Sequence, residues 1–97
     1  MFSGKKEMKI GEALREVLQD HGLEQKIEET RLLEEWEHMM GQHINNHTLS
    51  KRISKSILYI KLDSAALRHE LSFSRDKLKQ ALNKSIGKEV IIDIVFS

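Results

Sequence analysis

The chain has no cysteine and no proline, and it carries a single tryptophan and a single tyrosine. Without cysteine there is no disulfide framework, no thiolate nucleophile and no zinc–thiolate site. No apolar run approaches the roughly 20 residues that a membrane-spanning helix needs. The opening residues Met1-Phe2-Ser3-Gly4-Lys5-Lys6 lead into no apolar stretch of the signal-peptide kind. A cytoplasmic protein is therefore expected. Catalytic signatures are missing as well. No serine sits in a nucleophile elbow, and no glycine-rich phosphate loop occurs. The carboxylates read as a charged helical face rather than a converging pair. A non-enzymatic role without a cofactor is expected.

What remains is a compact set of elements. The 97 residues, 39% apolar and 32% charged, fit one globular domain. A chain of this size buries roughly 60–65% of the surface its unfolded form exposes, enough for one modest core. Residues 1–8 are expected to be a flexible N-terminal segment, and 9–97 a single domain.

The net charge of +1 hides an asymmetry. Residues 1–50 hold six Lys/Arg and ten Asp/Glu, a balance of −4; residues 51–97 hold ten and five, a balance of +5. Glu24, Glu28, Glu29, Glu34, Glu35 and Glu37 crowd the first half. Lys51, Arg52, Lys55, Arg68, Arg75, Lys77 and Lys84 stand in the second. Such polarity orients a charged partner, or it simply provides two solvated faces.

Ile10, Ala13, Leu14, Val17 and Leu18 share one arc of a helical wheel, which predicts an amphipathic helix over Lys9–His21. Gly22 suits a left-handed residue at its end. Leu23–Met40 reads as a second helix with two apolar sides, stopped by Gly41, and Gln42–His47 as a polar loop. Thr48–Ile53 and Ile57–Leu62 read as a pair of strands joined at Ser54-Lys55-Ser56. Asp63 or Ser64 is a good N-cap for a third helix. Leu67, Leu71, Leu78, Ala81, Leu82 and Ile86 keep helical phase throughout. One unbroken helix of that length would measure about 35 Å, which exceeds a domain of this size. A break is therefore expected near Ser72-Phe73-Ser74. Gly87 stops the helix, and Val90–Phe96 reads as a last strand. The result is an α+β chain in the order α-α-β-β-α-(α)-β, with a small three-stranded sheet covered by helices on one face.

Trp36, at helical spacing from Leu32, Leu33 and Met40, reads as a core anchor. Tyr59 reads either as a half-buried strand residue or as a base-stacking platform on an open sheet face. His38, His43 and His47 cluster around Gly41, but without a fixed pair on one helix they read as surface histidines rather than metal ligands. The cations of the second half are the candidate phosphate contacts: Lys51, Arg52, Lys55, Arg68, Arg75, Lys77 and Lys84. The acidic helix around Glu28–Glu37, or the outer sheet face with Ile57, Tyr59, Ile91 and Val95, is the candidate protein contact, and the sheet face is also the candidate contact with a second copy of the chain.

Several segments together resemble a known family. Leu32-Leu33-x-x-Trp36-x-x-Met39-Met40-Gly41 is one, and His47-Thr48 opens the first strand. Leu58-Tyr59-Ile60-x-Leu62-x-Ser64-x-x-Leu67-x-x-Glu70-Leu71 is another. Leu78-x-x-x-Leu82-Asn83-x-x-Ile86-Gly87-x-x-Val90-Ile91-x-Asp93-Ile94 is the last. In this order and spacing they are similar to the DciA-type domain family, from about Ile10 to Phe96. The resemblance implies a KH-like fold and a role at the bacterial replicative helicase, with affinity for single-stranded DNA. An RNA-binding variant is also compatible with a KH-like sheet. Leu67 stands where many members carry Trp, and no Gly-x-x-Gly occurs. The chain stops one residue after Phe96, so the expectation is a short form without the C-terminal extension of longer members.

Overall fold

Two periodicities build the domain, alternation in the strands and a 3.6-residue repeat in the helices. The computed structural model describes residues 11, 13, 14 and 22–97. Its elements are α1 (Leu23–Asn46), β1 (Thr48–Ser54), β2 (Ile57–Leu62), α2 (Ala65–Ser72), α3 (Arg75–Ile86) and β3 (Asp93–Phe96). The strands form one sheet in the order β1-β2-β3. β1 runs antiparallel to β2, and β3 runs parallel to it. A parallel pair needs a crossover, and α2 and α3 supply it. This is the expected α+β architecture with a small sheet covered by helices. Gly11, Ala13 and Leu14 are helical. The rest of the helix expected over Lys9–His21, and the segment 1–8, lie outside the described residues.

One face of the sheet makes the core. Leu58, Ile60 and Leu62 of β2 and Ile94 of β3 pack against Leu32 and Trp36 of α1 and Leu82 of α3. Leu67 and Leu71 of α2 and Leu78 of α3 flank them. Each fully buried side chain of this kind contributes roughly 1.5–3 kcal/mol through lost apolar surface. Trp36 is the expected anchor: it is fully buried and tilts against Phe96 with ring centroids 6.0 Å apart.

Three segments depart from the sequence-based expectation. Gly41, at φ 80° and ψ 176°, interrupts α1, but the chain resumes for another turn. Gln42–Asn46, expected as a loop, is thus helical. Asn45 Nδ2 donates to the Glu37 carbonyl across the break at 2.7 Å. Thr48 Oγ1 donates to the Ile44 carbonyl at 2.8 Å, while Ile44 packs on the core. The second departure is small: the expected short turn between β1 and β2 is confined to Lys55-Ser56, and Ser54 belongs to β1. Lys55 (φ 51°) and Ser56 (φ 64°) are both left-handed, the backbone of a two-residue type I′ hairpin, without the Asn-Gly that usually supplies it.

The third departure is the last strand, which starts at Asp93 rather than Val90. Val90 N–H and Ile91 N–H donate to Asn83 Oδ1 at 2.9 and 3.0 Å, and Asn83 Nδ2 donates to the Ile91 carbonyl at 2.8 Å. Ile92 N–H donates to the Ser56 carbonyl at 2.7 Å. The Asn83 bonds take up the backbone groups of Val90 and Ile91, and pairing with β2 begins only at Asp93. Val90 and Ile91 are both buried, Ile92 is exposed, and the alternation is lost until β3 begins.

The crossover breaks where expected. Ser64 caps α2 by accepting the Leu67 N–H at 3.2 Å, and Ser72-Phe73-Ser74 separates α2 from α3. Among the described residues no helix is long and apolar enough to cross a membrane.

Candidate nucleic-acid interface

Strand geometry first divides the basic residues. Successive side chains on a strand point to opposite faces. Lys51 is cross-strand from Ile60, on the core side, where its ammonium pairs with the Glu37 carboxylate of α1. Arg52 is cross-strand from Tyr59, on the outer side, and its guanidinium lies 4.2 Å from the centre of the Tyr59 ring. Two neighbouring cations thus have different surroundings. Only Arg52 joins the open face.

On that face the pairing register sets three rows. Ser50 lies beside Lys61; Arg52, Tyr59 and Val95 form the middle row; Ser54, Ile57 and Asp93 form the third. Arg52, Lys61 and Val95 are exposed, and Ile57 and Tyr59 are half-buried. Lys55 stands exposed in the hairpin turn at the end of the same pair of strands. None of the helices that make the core belongs to this face. Ile91, expected here with Ile57, Tyr59 and Val95, is instead fully buried. Its outward parity required a strand running from Val90, and the Asn83 bonds abolish that strand.

Ion pairing sorts the remaining cations. Arg75 Nε lies 3.5 Å from Asp93 Oδ1, Lys79 Nζ lies 3.3 Å from Asp76, and Lys88 Nζ lies 3.1 Å from Glu28. Lys55, Lys61, Arg68, Lys77 and Lys84 have no carboxylate at ion-pairing distance among the described residues. Lys77 and Lys84 are exposed on α3, seven positions apart and hence on one side of the helix. The seven expected phosphate contacts therefore divide: Lys51 and Arg75 have acidic partners, Arg52 lies over Tyr59, and Lys55, Arg68, Lys77 and Lys84 have no acidic partner among the described residues. Lys61 belongs with the outer-face cations; its alternation with Leu62 in β2 was the signal for it.

The histidines do not converge. His43 and His47 meet edge-on with ring centroids 5.4 Å apart, and His47 Nδ1 lies 2.7 Å from Asp63 Oδ1. His38 is exposed on α1. Among the described residues no group of three His, Cys, Asp or Glu side chains is arranged to hold a metal ion.

A protein-family model described as "Dna[CI] antecedent, DciA" matches residues 9–96. No curated protein and no solved structure matches the chain.

Proposed function

The chain belongs to the DciA family, associated with loading of the replicative helicase in bacteria, and we propose that it is a non-enzymatic adaptor that brings single-stranded DNA to that helicase. The observation that carries the nucleic-acid part is the sorting of cations. The basic half retains Lys55, Lys61, Arg68, Lys77 and Lys84 without acidic partners among the described residues. Such residues are the phosphate-contacting kind, and their binding to a single strand weakens with added salt. The acidic helix α1 supplies the protein-facing side around Glu28–Glu37, where Glu29, Glu34 and Glu35 have no basic partner among the described residues. The KH-like reading of the fold and a cytoplasmic location accompany this role.

The test is fluorescence anisotropy of a labelled single-stranded oligonucleotide at low and moderate salt. The wild type is expected to bind weakly, with a steep salt dependence. The double variant Lys77→Glu/Lys84→Glu is expected to bind more weakly across all sequences and with a shallower salt slope. Unchanged affinity in that variant removes α3 from the interface. Co-purification with the replicative helicase tests the partner separately.

A second reading, a protein-interaction module without a nucleic-acid role, is favoured by one feature. Leu23 and Ile27 lie 44% and 47% exposed on one flank of α1. A stable dimer in light scattering that ignores DNA would favour it.

A further inference from the structure

We propose that the outer sheet face, centred on Arg52 and Tyr59, is a base-stacking platform for single-stranded DNA. The proposal rests on the single-stranded DNA reading above and names the site at which bases, rather than phosphates, are held.

Three observations carry it. The Arg52 guanidinium lies over the Tyr59 ring, 4.2 Å from its centre, and Arg52 is exposed to solvent. Arginine planes and aromatic rings are the surfaces on which unpaired bases stack. Next, the residues flanking Arg52 on its own strand and face are Ser50 and Ser54. Their side chains are too short to overhang the guanidinium, so that among the described residues there is room for a flat ring above it. Finally, the hairpin side of the face is basic. Arg52, Lys55 and Lys61, all on the β1–β2 hairpin, flank the apolar centre of Ile57, Tyr59 and Val95 on one side, and the one acid in these rows, Asp93 on β3, is paired with Arg75. A basic hairpin face with an arginine–tyrosine pair at its centre fits a polyanion that carries a flat ring at every unit, which is what single-stranded DNA is.

Bases and phosphates can be separated in one experiment. A fluorescein-labelled oligothymidylate and an abasic oligomer of the same length carry the same phosphates, and only the first has bases. Anisotropy titrations would compare the wild type with Arg52→Lys and Tyr59→Leu. Arg52→Lys keeps the charge, removes the plane and alters an exposed residue. The wild type is expected to prefer oligothymidylate by about 5- to 150-fold, the range that stacking of one base supplies. Both variants are expected to lose most of that preference while keeping the salt slope, because no phosphate contact is removed.

Equal wild-type affinity for the two oligomers overturns the platform and leaves the phosphate-contact reading standing. Absence of binding to either oligomer at low salt overturns both. A wild-type dimer in light scattering that Arg52→Lys dissociates assigns the face to protein and overturns the proposal as well.

Discussion

Asn83 and Ile91 are joined by two hydrogen bonds that run in opposite directions. The side-chain carbonyl of Asn83 accepts the Ile91 N–H at 3.0 Å, and its amide donates to the Ile91 carbonyl at 2.8 Å. Val90 N–H shares the same Asn83 oxygen. One side chain thereby does for this segment what a neighbouring strand does for β3.

Asn83→Ala should therefore be costly. It leaves three backbone groups at a part-buried site without partners, and a stranded buried group costs roughly 1–3 kcal/mol. The expected loss is about 2–4 kcal/mol overall, some of it recovered by water. Asn83→Asp keeps the acceptor and loses the donor, so it should fall between. Urea unfolding of both variants checks the order; equal stability of all three proteins would remove the clasp from the account.

Gly41 gives a test of backbone alone. Its φ of 80° with ψ of 176° belongs to a region used almost only by glycine, and a Cβ there would touch nothing within 4 Å. Gly41→Ala should cost about 1–3 kcal/mol through conformation, without any clash. Circular dichroism melts measure it. A melting temperature equal to wild type would mean that α1 readily straightens at this point.

The hairpin turn offers the opposite change. Lys55 and Ser56 hold left-handed conformations that each disfavour an ordinary side chain by roughly 1 kcal/mol. Lys55→Asn with Ser56→Gly installs the pair that such turns prefer. Stability should rise by about 1 kcal/mol, some 4–8 °C in melting temperature for a domain of this length. No gain, or a loss, would contradict the left-handed turn.

Lys51 and Lys55 separate occupied from available charge. Lys51 is held by Glu37 and is about one-quarter exposed, whereas Lys55 is exposed in the turn without an acidic partner among the described residues. Lys51→Gln should leave oligonucleotide affinity within about twofold, and Lys55→Gln should lower it measurably at low salt. The reverse ranking would show that the Glu37 pair opens on binding.

Local signals were the readable part of this chain. Ser64 as a cap, the break at Ser72-Phe73-Ser74, Trp36 as an anchor and the alternation of β2 all follow from neighbours a few residues away. The missed features depend on groups far apart. Gln42–Asn46 reads as a polar loop until Asn45 is seen bonded back to Glu37. Val90-Ile91-Ile92 reads as a strand until Asn83, from the preceding helix, takes its backbone groups. The candidate site was legible in kind but not in membership. Composition marks the basic half, whereas the pairing of Lys51 with Glu37 and of Arg75 with Asp93 is decided by tertiary contact.

The parallel pairing of β3 with β2 also dictates an order of assembly. The β1–β2 hairpin closes over a two-residue turn, an event of microseconds. β3 can join only after the whole crossover has been drawn in, and that loop closure has its entropic cost before any contact rewards it. The third strand and its Asn83 clasp should then form on the native side of the folding barrier. Weakening the clasp would quicken unfolding and leave the refolding rate nearly untouched. The last strand would thus govern how long the folded domain lasts, and the first hairpin how soon it forms.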